Sequence, residues 1–425
     1  MSIKNLFILI IACSILAIAI SLTKAEPVVN DSVEYQNLAD NLTLNNLYFS
    51  GNAKTDVDYR LFSKRTPGYA IFLAFQKNKV SLLIAQVLCY LLLVILGLKL
   101  LPEFTKTQFS KKMYLVFVLF TPVLLFHSQL KLSDLLLSII TLICITIWFE
   151  NRVQVKNKWR MIFVFWAIGL LVKPVLLPSL LLLPFIALYL LFKSKTFTKL
   201  LVLPVVVWAS VCFINFNNTS VFEYSSISTI NLAHYNAKLT IASKYGNDSA
   251  QHFTDSKIYL IPTLPQTYRT YLSNLNTAAK DAILQNFPTY LKIQTMGMAK
   301  MLVDPGRWEL YTYFNQNTAD GSLTELLYAR NWTELNAKMQ SNKALFYTFV
   351  LLLIINLLKV LGIAFSFLRP TKQWFVLATI SAYFLAITGP IGAARFMLPA
   401  TILSIVLSVY GWNLLLNFFQ KRSKS

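Results

Sequence analysis

Charged residues are scarce in this chain. Lys, Arg, Asp and Glu make up 13% of its 425 residues, whereas hydrophobic residues make up 56%. The mean hydropathy is correspondingly high, at +0.55. One soluble core could not hide this much apolar surface. The composition therefore excludes an ordinary soluble protein and indicates several membrane-spanning segments.

Cysteine and histidine are also few, with four and three residues respectively. The cysteines fall in apolar segments, without the spacing of a zinc site and too far apart for a local disulfide. The histidines do not form a ligand set by their spacing. We also find no glycine-rich phosphate loop, nucleophile elbow or internal repeat. The sequence therefore predicts no cofactor, and a divalent metal stays open as an alternative.

Long apolar segments are abundant, and each is a candidate for one membrane span of about 20 residues. The candidates are residues 6–23, 80–101, 113–130, 133–149, 161–174, 175–192, 200–215, 344–368, 373–388 and 396–419. We therefore predict an all-α polytopic membrane protein of about ten transmembrane helices. The first segment could instead be a cleaved signal peptide, but its length and the absence of a small-x-small site favour an uncleaved anchor.

The positive charges are distributed unevenly along the chain. With a cytoplasmic N-terminus, seventeen Lys and Arg residues fall in short inner segments, against only Glu103 and Glu150. This is the positive-inside pattern of membrane proteins, so most of the net charge of +21 is explained by topology. We predict a multi-pass protein of the inner (plasma) membrane with both termini in the cytoplasm. The same pattern removes the support for a nucleic-acid partner.

The chain divides into three parts by composition. Residues 1–215 form an N-terminal transmembrane module, which includes a first outer loop at 25–79. Residues 216–343 mix eleven cations with nine acids and form a predicted extracytoplasmic domain, mixed or mainly helical. Residues 344–425 supply the C-terminal transmembrane helices.

Local patterns predict several features in more detail. Apolar positions at helical spacing predict a helix that Asp31 would cap. Residues 268–302 are predicted to be helical with one interruption at Pro288, followed by a turn at 304–307. The Lys173-Pro174 pair is predicted to separate two short helices at the outer face, because proline removes a backbone donor.

Ionisable residues beside the spans gather on one predicted face. Asp134, Lys173 and Arg395 lie at the outer ends of predicted spans, on the same side as Asp31 and Arg65. Charged groups near a bilayer usually face partners or a cavity. Cations there could neutralise a lipid phosphate, while a carboxylate takes a proton from an attacking group. Lys131 and Lys359 are predicted only to snorkel towards the membrane surface.

Four short motifs carry a resemblance to a known family. They are Asp31-x-x-x-Tyr35, Arg65-Thr-Pro-Gly-Tyr69, Leu171-Val-Lys173-Pro174 and Gly392-Ala-Ala-Arg395-Phe-Met-Leu-Pro399. In their order and spacing the chain resembles the GT-C glycosyltransferases, and among them the glycosyltransferase family 39-like group of bacterial aminoarabinose transferases and protein O-mannosyltransferases. The resemblance covers residues 1–195 and 389–412, about half the chain.

The resemblance implies transfer of a sugar from a polyprenyl-phosphate donor, in the lipid bilayer, to a glycan, lipid or protein acceptor outside the cytoplasm. Asp31 would match the carboxylate proposed as base or acceptor-orienting group, and Asp134 a second acidic residue of the site. The substrate-binding residues that it implies are Tyr35, Arg65, Tyr69, Lys173 and Arg395. The chain has one acid at Asp31 where the mannosyltransferases have an adjacent pair of acids. This difference weakens the case for a protein acceptor.

Each of these residues also has an ordinary structural interpretation. Asp31 could only cap a helix, and the two tyrosines could be interfacial aromatics. Lys173 could snorkel, and Arg395 could only anchor its helix. For the whole chain, a transporter or flippase of a lipid-linked saccharide and a non-catalytic scaffold remain as alternatives.

Overall fold

The structure is a computed structural model that describes residues 1–425 except 26, 28, 56, 194–197, 259, 315–331, 334–342 and 423–425. The described chain is α-helical and contains no β-strand. Its helices in the first half are α1 Ile3–Thr23, α2 Asn30–Leu44, α3 Arg60–Ser63, α4 Pro67–Ala74, α5 Lys79–Leu100, α6 Gln108–Leu119, α7 Pro122–His127, α8 Asp134–Phe149, α9 Val155–Val172, α10 Leu183–Leu188 and α11 Leu203–Thr219.

The second half continues with shorter helices before the last long ones. These are α12 Ile227–Asn231, α13 Lys238–Tyr245, α14 Asn247–Phe253, α15 Pro265–Leu284, α16 Phe287–Val303, α17 Arg307–Tyr313, α18 Lys343–Ser366, α19 Lys372–Ile387 and α20 Leu398–Arg422. Short 3-10 segments join some of them, including Pro174–Leu182 before α10 and Ala394–Met397 before α20.

Six helical stretches of the described chain are long and apolar enough to cross a membrane. They are Ile3–Thr23, Lys79–Glu103, Pro174–Phe192, Lys199–Thr219, Phe346–Ser366 and Ala394–Gln420, and Asp134–Phe149 and Lys372–Ile387 are shorter apolar helices. The prediction of an all-α polytopic membrane protein is confirmed. The number of ten spans stays a prediction. The predicted span at 113–130 is divided, because Pro122 starts a new short helix after α6 ends.

The C-terminal helix α20 lies at the centre of the bundle. It packs against α5, α6, α8, α18 and α19. Leu403, Val406 and Val409 on this helix are fully buried. They belong to one large apolar cluster with residues of α5, α6 and α8. Arg395 lies in the 3-10 segment Ala394–Met397 immediately before α20, so this packing also positions that arginine.

Two glycines allow α18 and α20 to cross in close contact. A β-carbon on Gly411 would lie 1.9 Å from the Gly362 carbonyl oxygen. A β-carbon on Gly362 would lie 2.3 Å from Ser408 Oγ. Small residues at such crossings let membrane helices approach until their backbones touch.

The predicted break at Lys173-Pro174 is present. Helix α9 ends at Val172, Lys173 adopts an extended conformation, and a 3-10 segment begins at Pro174. A second close approach occurs here, since a β-carbon on Gly68 of α4 would lie 2.7 Å from the Leu171 carbonyl oxygen. Gly68 therefore holds the start of α4, which follows Arg65, against the end of α9, which precedes Lys173.

Residues 216–343 are helical where the structure describes them. The predicted helix with one interruption is present as α15 and α16. The interruption lies at Gln285-Asn286 instead of at Pro288, because proline is tolerated in the first turn, where it stands in α16. A small apolar core includes Tyr268, Leu275 and Ala279. The predicted turn is also present, because Asp304 Oδ1 accepts hydrogen bonds from the backbone N–H of Gly306 and of Arg307, both at 3.0 Å. The domain boundaries stay predictions, and residues 315–331 and 334–342 lie outside the described residues.

Two local predictions are wrong. The N-cap of α2 is Val29, and Asp31 lies within the first turn, where two arginines occupy its carboxylate oxygens. Lys359 does not snorkel, because it is 7% exposed and its ammonium group donates to Thr121. Both errors have the same origin: the partners come from distant parts of the chain, which local patterns do not contain.

Candidate active site

Asp31 joins two arginines from opposite ends of the chain. Its Oδ1 accepts a hydrogen bond from Arg65 Nη2 at 2.7 Å, and its Oδ2 accepts one from Arg395 Nη2 at 2.6 Å. Burial alone would raise the pKa of Asp31, but these two guanidinium groups hold that pKa well below its usual range. The carboxylate is therefore ionised at neutral pH, with a cation on each side.

Glu34 extends this cluster by one turn of α2. Its Oε2 accepts a hydrogen bond from Arg65 Nε at 2.6 Å, and its Oε1 accepts one from Lys64 Nζ at 2.6 Å. Positions three apart on a helix lie on one face, so Asp31 and Glu34 both reach Arg65. Burial lowers the pKa of Arg65, whereas the carboxylates of Asp31 and Glu34 raise it, and the net shift of the pKa is upward. Arg65 is thus a permanent cation.

The segment that carries Arg65 is fixed on both sides. Tyr48 donates its hydroxyl hydrogen to the Arg65 carbonyl oxygen at 2.7 Å. Ser63 donates to Glu223 Oε1 at 2.6 Å, and the Tyr268 hydroxyl bonds to the same carboxylate oxygen. This buried group of Ser63, Glu223 and Tyr268 ties the Arg65 segment to α15. The position of Arg65 therefore depends on the helices of residues 216–343.

Tyr35 and Tyr69 form a packed layer against Arg65. The Arg65 guanidinium lies 5.2 Å from the centroid of the Tyr35 ring, which meets the Tyr69 ring edge-on at 5.0 Å. Both tyrosines are almost fully buried. The Tyr35 hydroxyl bonds to Ser133 Oγ at 3.0 Å, and the Tyr69 hydroxyl donates to Gln86 Oε1 at 2.9 Å. Both hydroxyls thus have protein partners in this structure.

Asp134 and Lys173 form a second charged pair beside the first. Lys173 Nζ donates to Asp134 Oδ1, and His127 Nε2 lies 3.4 Å from Asp134 Oδ2. The Asp134 side chain is 2% exposed, whereas that of Lys173 is 19% exposed. Asp134 therefore lies behind the lysine and holds its ammonium group in place.

Arg395 is held between aromatic rings. Its guanidinium lies 5.2 Å from the Trp308 ring centroid and 5.0 Å from that of Phe396. The preceding backbone N–H, of Ala394, donates to Asp304 Oδ2 at 3.2 Å, which ties this segment to the turn before α17. Arg395 Nε is buried and has no hydrogen-bond partner among the described residues. One donor of the guanidinium is therefore open.

Glu309 is a buried carboxyl group next to this arrangement. It is 0% exposed, and neither carboxyl oxygen has a hydrogen-bond partner in the described chain. Burial, and secondarily the negative charge of Asp304, raise the pKa of Glu309 to about 8. At neutral pH the group is therefore mostly protonated and uncharged.

The charge balance of this cluster favours an anion. Four cations are paired with three carboxylates, so the cluster has one excess positive charge. The cations are Lys64, Arg65, Lys173 and Arg395, and the carboxylates are Asp31, Glu34 and Asp134. The Asp31 side chain is 26% exposed, more than any other charged side chain of the cluster. A ligand that enters would therefore meet Asp31 with cations on both sides.

The structure brings together every candidate residue that the sequence identified, in two adjoining groups around Asp31 and Asp134. The sequence reasoning missed Glu34, His127, Trp308 and Glu309. Of these, Glu34 had a signal, since it lies three positions after Asp31 on a predicted helix. The others have no local pattern. No group of three or more His, Cys, Asp or Glu residues that could hold a metal ion occurs in the described chain.

Comparisons with known proteins gave matches among solved structures only. No protein-family model and no curated protein matches the chain. A crystal structure of ArnT from Cupriavidus metallidurans bound to undecaprenyl phosphate is similar at 11% identity and a TM-score of 0.40, over 95% of this chain and 77% of that one. Its apo structure is similar at 12% identity and a TM-score of 0.40, over 96% and 78%. At these values we draw no functional conclusion from the likeness.

Proposed function

We propose that this protein is a membrane glycosyltransferase that moves a sugar from a polyprenyl-phosphate donor to an acceptor on the extracytoplasmic face. The observation that carries the proposal is the Asp31 carboxylate held between Arg65 and Arg395. A partly exposed carboxylate flanked by cations can serve a proton transfer and an anionic leaving group at one place. The resemblance of the four sequence motifs to the GT-C glycosyltransferases supports the same activity.

The cations bind the donor phosphate in this proposal. Arg65, Lys173 and Arg395 have side chains that are 10%, 19% and 15% exposed, so each is partly accessible and largely desolvated. Charge-assisted hydrogen bonds from such groups to phosphate are among the stronger ones in proteins. Arg395 Nε adds one donor that no group in the described part of the chain uses.

Asp31 is the base or the acceptor-orienting group. The acceptor O–H or N–H attacks the anomeric carbon, the bond from that carbon to the phosphate oxygen breaks, and the phosphate leaves with the electron pair. The acceptor's proton passes to Asp31. When the donor phosphate binds Arg65 and Arg395, its negative charge offsets part of the positive charge that these arginines present to Asp31. The pKa of Asp31 therefore rises towards its usual range. Donor binding would thus activate the base.

The remaining candidate residues support this centre. Asp134 holds Lys173 towards the donor, and Tyr35 and Tyr69 form the layer on which Arg65 rests. The acceptor, a glycan, lipid or protein, would approach from the side of residues 216–343. The Ser63, Glu223 and Tyr268 group connects that part of the chain to Arg65.

A reconstitution experiment separates this proposal from a flippase. Purified protein in liposomes receives a polyprenyl-phosphate sugar with the sugar labelled, together with extracted native acceptors. We expect the label to leave the lipid and free polyprenyl phosphate to accumulate. Movement of intact donor between leaflets without cleavage would instead establish the transporter. If the donor is neither cleaved nor moved, even with donor and acceptors from the native membrane, both the glycosyltransferase and the transporter are contradicted.

A further inference from the structure

Lys359 is a buried lysine that the proposed transfer reaction does not use. It lies on α18, it is 7% exposed, and Nζ donates to Thr121 Oγ1 at 2.9 Å. That hydroxyl is its hydrogen-bond partner, and no carboxylate of the described chain lies within ion-pair distance. Burying an ammonium group without a negative partner is energetically costly, so such a residue inside a membrane helix indicates a functional site.

A cavity adjoins this ammonium group. Residues of α16, α18 and α20 line it, together with Thr121 and the 3-10 segment before α20. Most of the lining side chains are apolar, among them Met301, Ile363 and Ile405. Ala394 also contributes, so the cavity reaches the residue directly before Arg395. It is therefore a second chamber, small at about 50 Å³, that adjoins the candidate active site and lies between α16, α18 and α20.

Three other polar groups that line the cavity, those of Asn356, Thr401 and Asp304, are already engaged. Asn356 Nδ2 donates to the carbonyl oxygens of Leu302 and Val303 at 2.9 and 2.7 Å. Thr401 donates to Met397 at 3.1 Å. Asp304 accepts backbone hydrogen bonds at both oxygens, as described above. The ammonium group of Lys359 has three N–H donors and uses one of them. It is therefore the charged group with open donors in this chamber.

We propose that this chamber is a second phosphate-binding site, in which Lys359 holds the phosphate group of a lipid phosphate and the apolar lining contacts the carbons next to that phosphate. A phosphate oxygen supplies the negative charge that the buried ammonium lacks and accepts its open donors. The predominantly apolar lining matches a ligand with one charged end. The site is distinct from the donor cluster, whose cations do not line this chamber.

Binding measurements on purified protein in detergent test the site. The probes are farnesyl phosphate, farnesol and inorganic phosphate, and the readouts are binding stoichiometry and the shift in melting temperature. We expect two equivalents of farnesyl phosphate for the wild type. In Lys359→Met, the affinity of the second site for farnesyl phosphate should fall by about tenfold or more. Only one equivalent should then bind at the concentration that fills both sites of the wild type. Lys343→Met is the matched control, because Lys343 is an exposed lysine on the same helix.

Further arms separate the outcomes. Lys359→Arg keeps the positive charge and should retain the second equivalent. This variant therefore tests the site even if Lys359→Met does not fold. Arg65→Ala should lose the other equivalent, so failure of the donor cluster and failure of this site are distinguishable. Inorganic phosphate that binds as well as farnesyl phosphate, and depends on Lys359, would keep the site and assign free phosphate as its occupant. Unchanged stoichiometry and affinity in Lys359→Met, or equal binding of farnesol, would overturn the inference.

Discussion

Arg395 Nη2 donates to Asp31 Oδ2 at 2.6 Å, although the two residues are 364 positions apart in the chain. This bond joins α2, which follows the first membrane helix, to the segment that starts the last one. Neither end of the chain can form the candidate site alone. The site therefore exists only when the N-terminal and C-terminal helices have packed together, and any change that separates them should remove binding and activity at once.

The first prediction concerns sidedness. The proposal requires α2 to face the outside, so a cysteine at the exposed position Asp40 should react with a membrane-impermeant maleimide in intact cells. A cysteine at the exposed position Lys106, in a predicted inner loop, is the matched control and should react only after permeabilisation. The readout is the mass shift of the labelled protein. The opposite pattern would place Asp31 in the cytoplasm and rule out the proposal.

The second prediction concerns the guanidinium group of Arg65. Its Nε and Nη2 bond different carboxylates, a geometry that one lysine ammonium cannot reproduce. Arg65→Lys and Arg65→Ala should both weaken binding of a polyprenyl-phosphate donor, by about tenfold or more for Arg65→Ala. The measurement is donor binding by tryptophan fluorescence. Arg269→Ala, at an exposed arginine on α15, should leave affinity unchanged, and wild-type affinity in Arg65→Ala would count against the clamp.

The third prediction concerns the contact between α4 and α9. The added methyl group in Gly68→Ala would lie 2.7 Å from the Leu171 carbonyl, and backbone atoms cannot turn aside as a side chain can. Overpacking of this kind typically costs about 1–3 kcal/mol of unfolding free energy. Because α4 and α9 carry Arg65 and Lys173 at their ends, donor affinity should fall together with the melting temperature. Ala74→Ser, at the exposed end of α4, is the control and should change neither quantity.

The fourth prediction concerns pH. The pKa of Glu309 is raised from its usual 4.5 to about 8, so the folded protein keeps a proton that the unfolded chain releases. The stabilising contribution is complete below the unfolded pKa and is lost as the pH rises towards the folded value. The charged groups that act on Glu309 are Asp304, Arg395 and Asp134.

Melting temperatures measured across this pH window check the Glu309 prediction. Relative to Glu309→Gln, the melting temperature of the wild type should fall as the pH rises from about 4.5 to about 8, because glutamine does not titrate. Asp248→Asn, at an exposed carboxylate, should follow the wild-type curve. An identical slope in Glu309→Gln and the wild type would show that Glu309 is ionised in both states.

Hydropathy predicted most of the helices because lipid-facing and core positions are both apolar in a membrane protein. The spans near α1, α5, α18 and α20 are examples. The proline after Lys173 also gave a correct signal, since α9 ends at Val172, just before the residue that lacks a backbone donor. The division at Pro122 was missed because the apolar run continues across it, and hydropathy alone does not register where one helix ends and the next begins.

The candidate residues could be collected from the sequence because charged groups are rare near the spans. Their partners could not, because the pairing depends on how helices pack. Glu34 could have been found from its spacing to Asp31 on α2, whereas the contact of Arg395 with Trp308 needed the position of α17 against the segment before α20. Lys359 was misjudged for the same reason. A lysine two-thirds along a membrane helix resembles a snorkelling residue until Thr121 and the surrounding helices enclose it.

The most direct measurement is the initial rate at which polyprenyl phosphate is released from a labelled polyprenyl-phosphate sugar by the wild type and by Asp31→Asn, at saturating donor and acceptor. Asparagine keeps the shape of the side chain and removes the basic oxygen, so we expect the rate to fall by about 10²-fold or more. Donor affinity and melting temperature, measured on the same preparations, should show that the variant is folded. A near-normal rate in Asp31→Asn would contradict the assignment of Asp31 as the base.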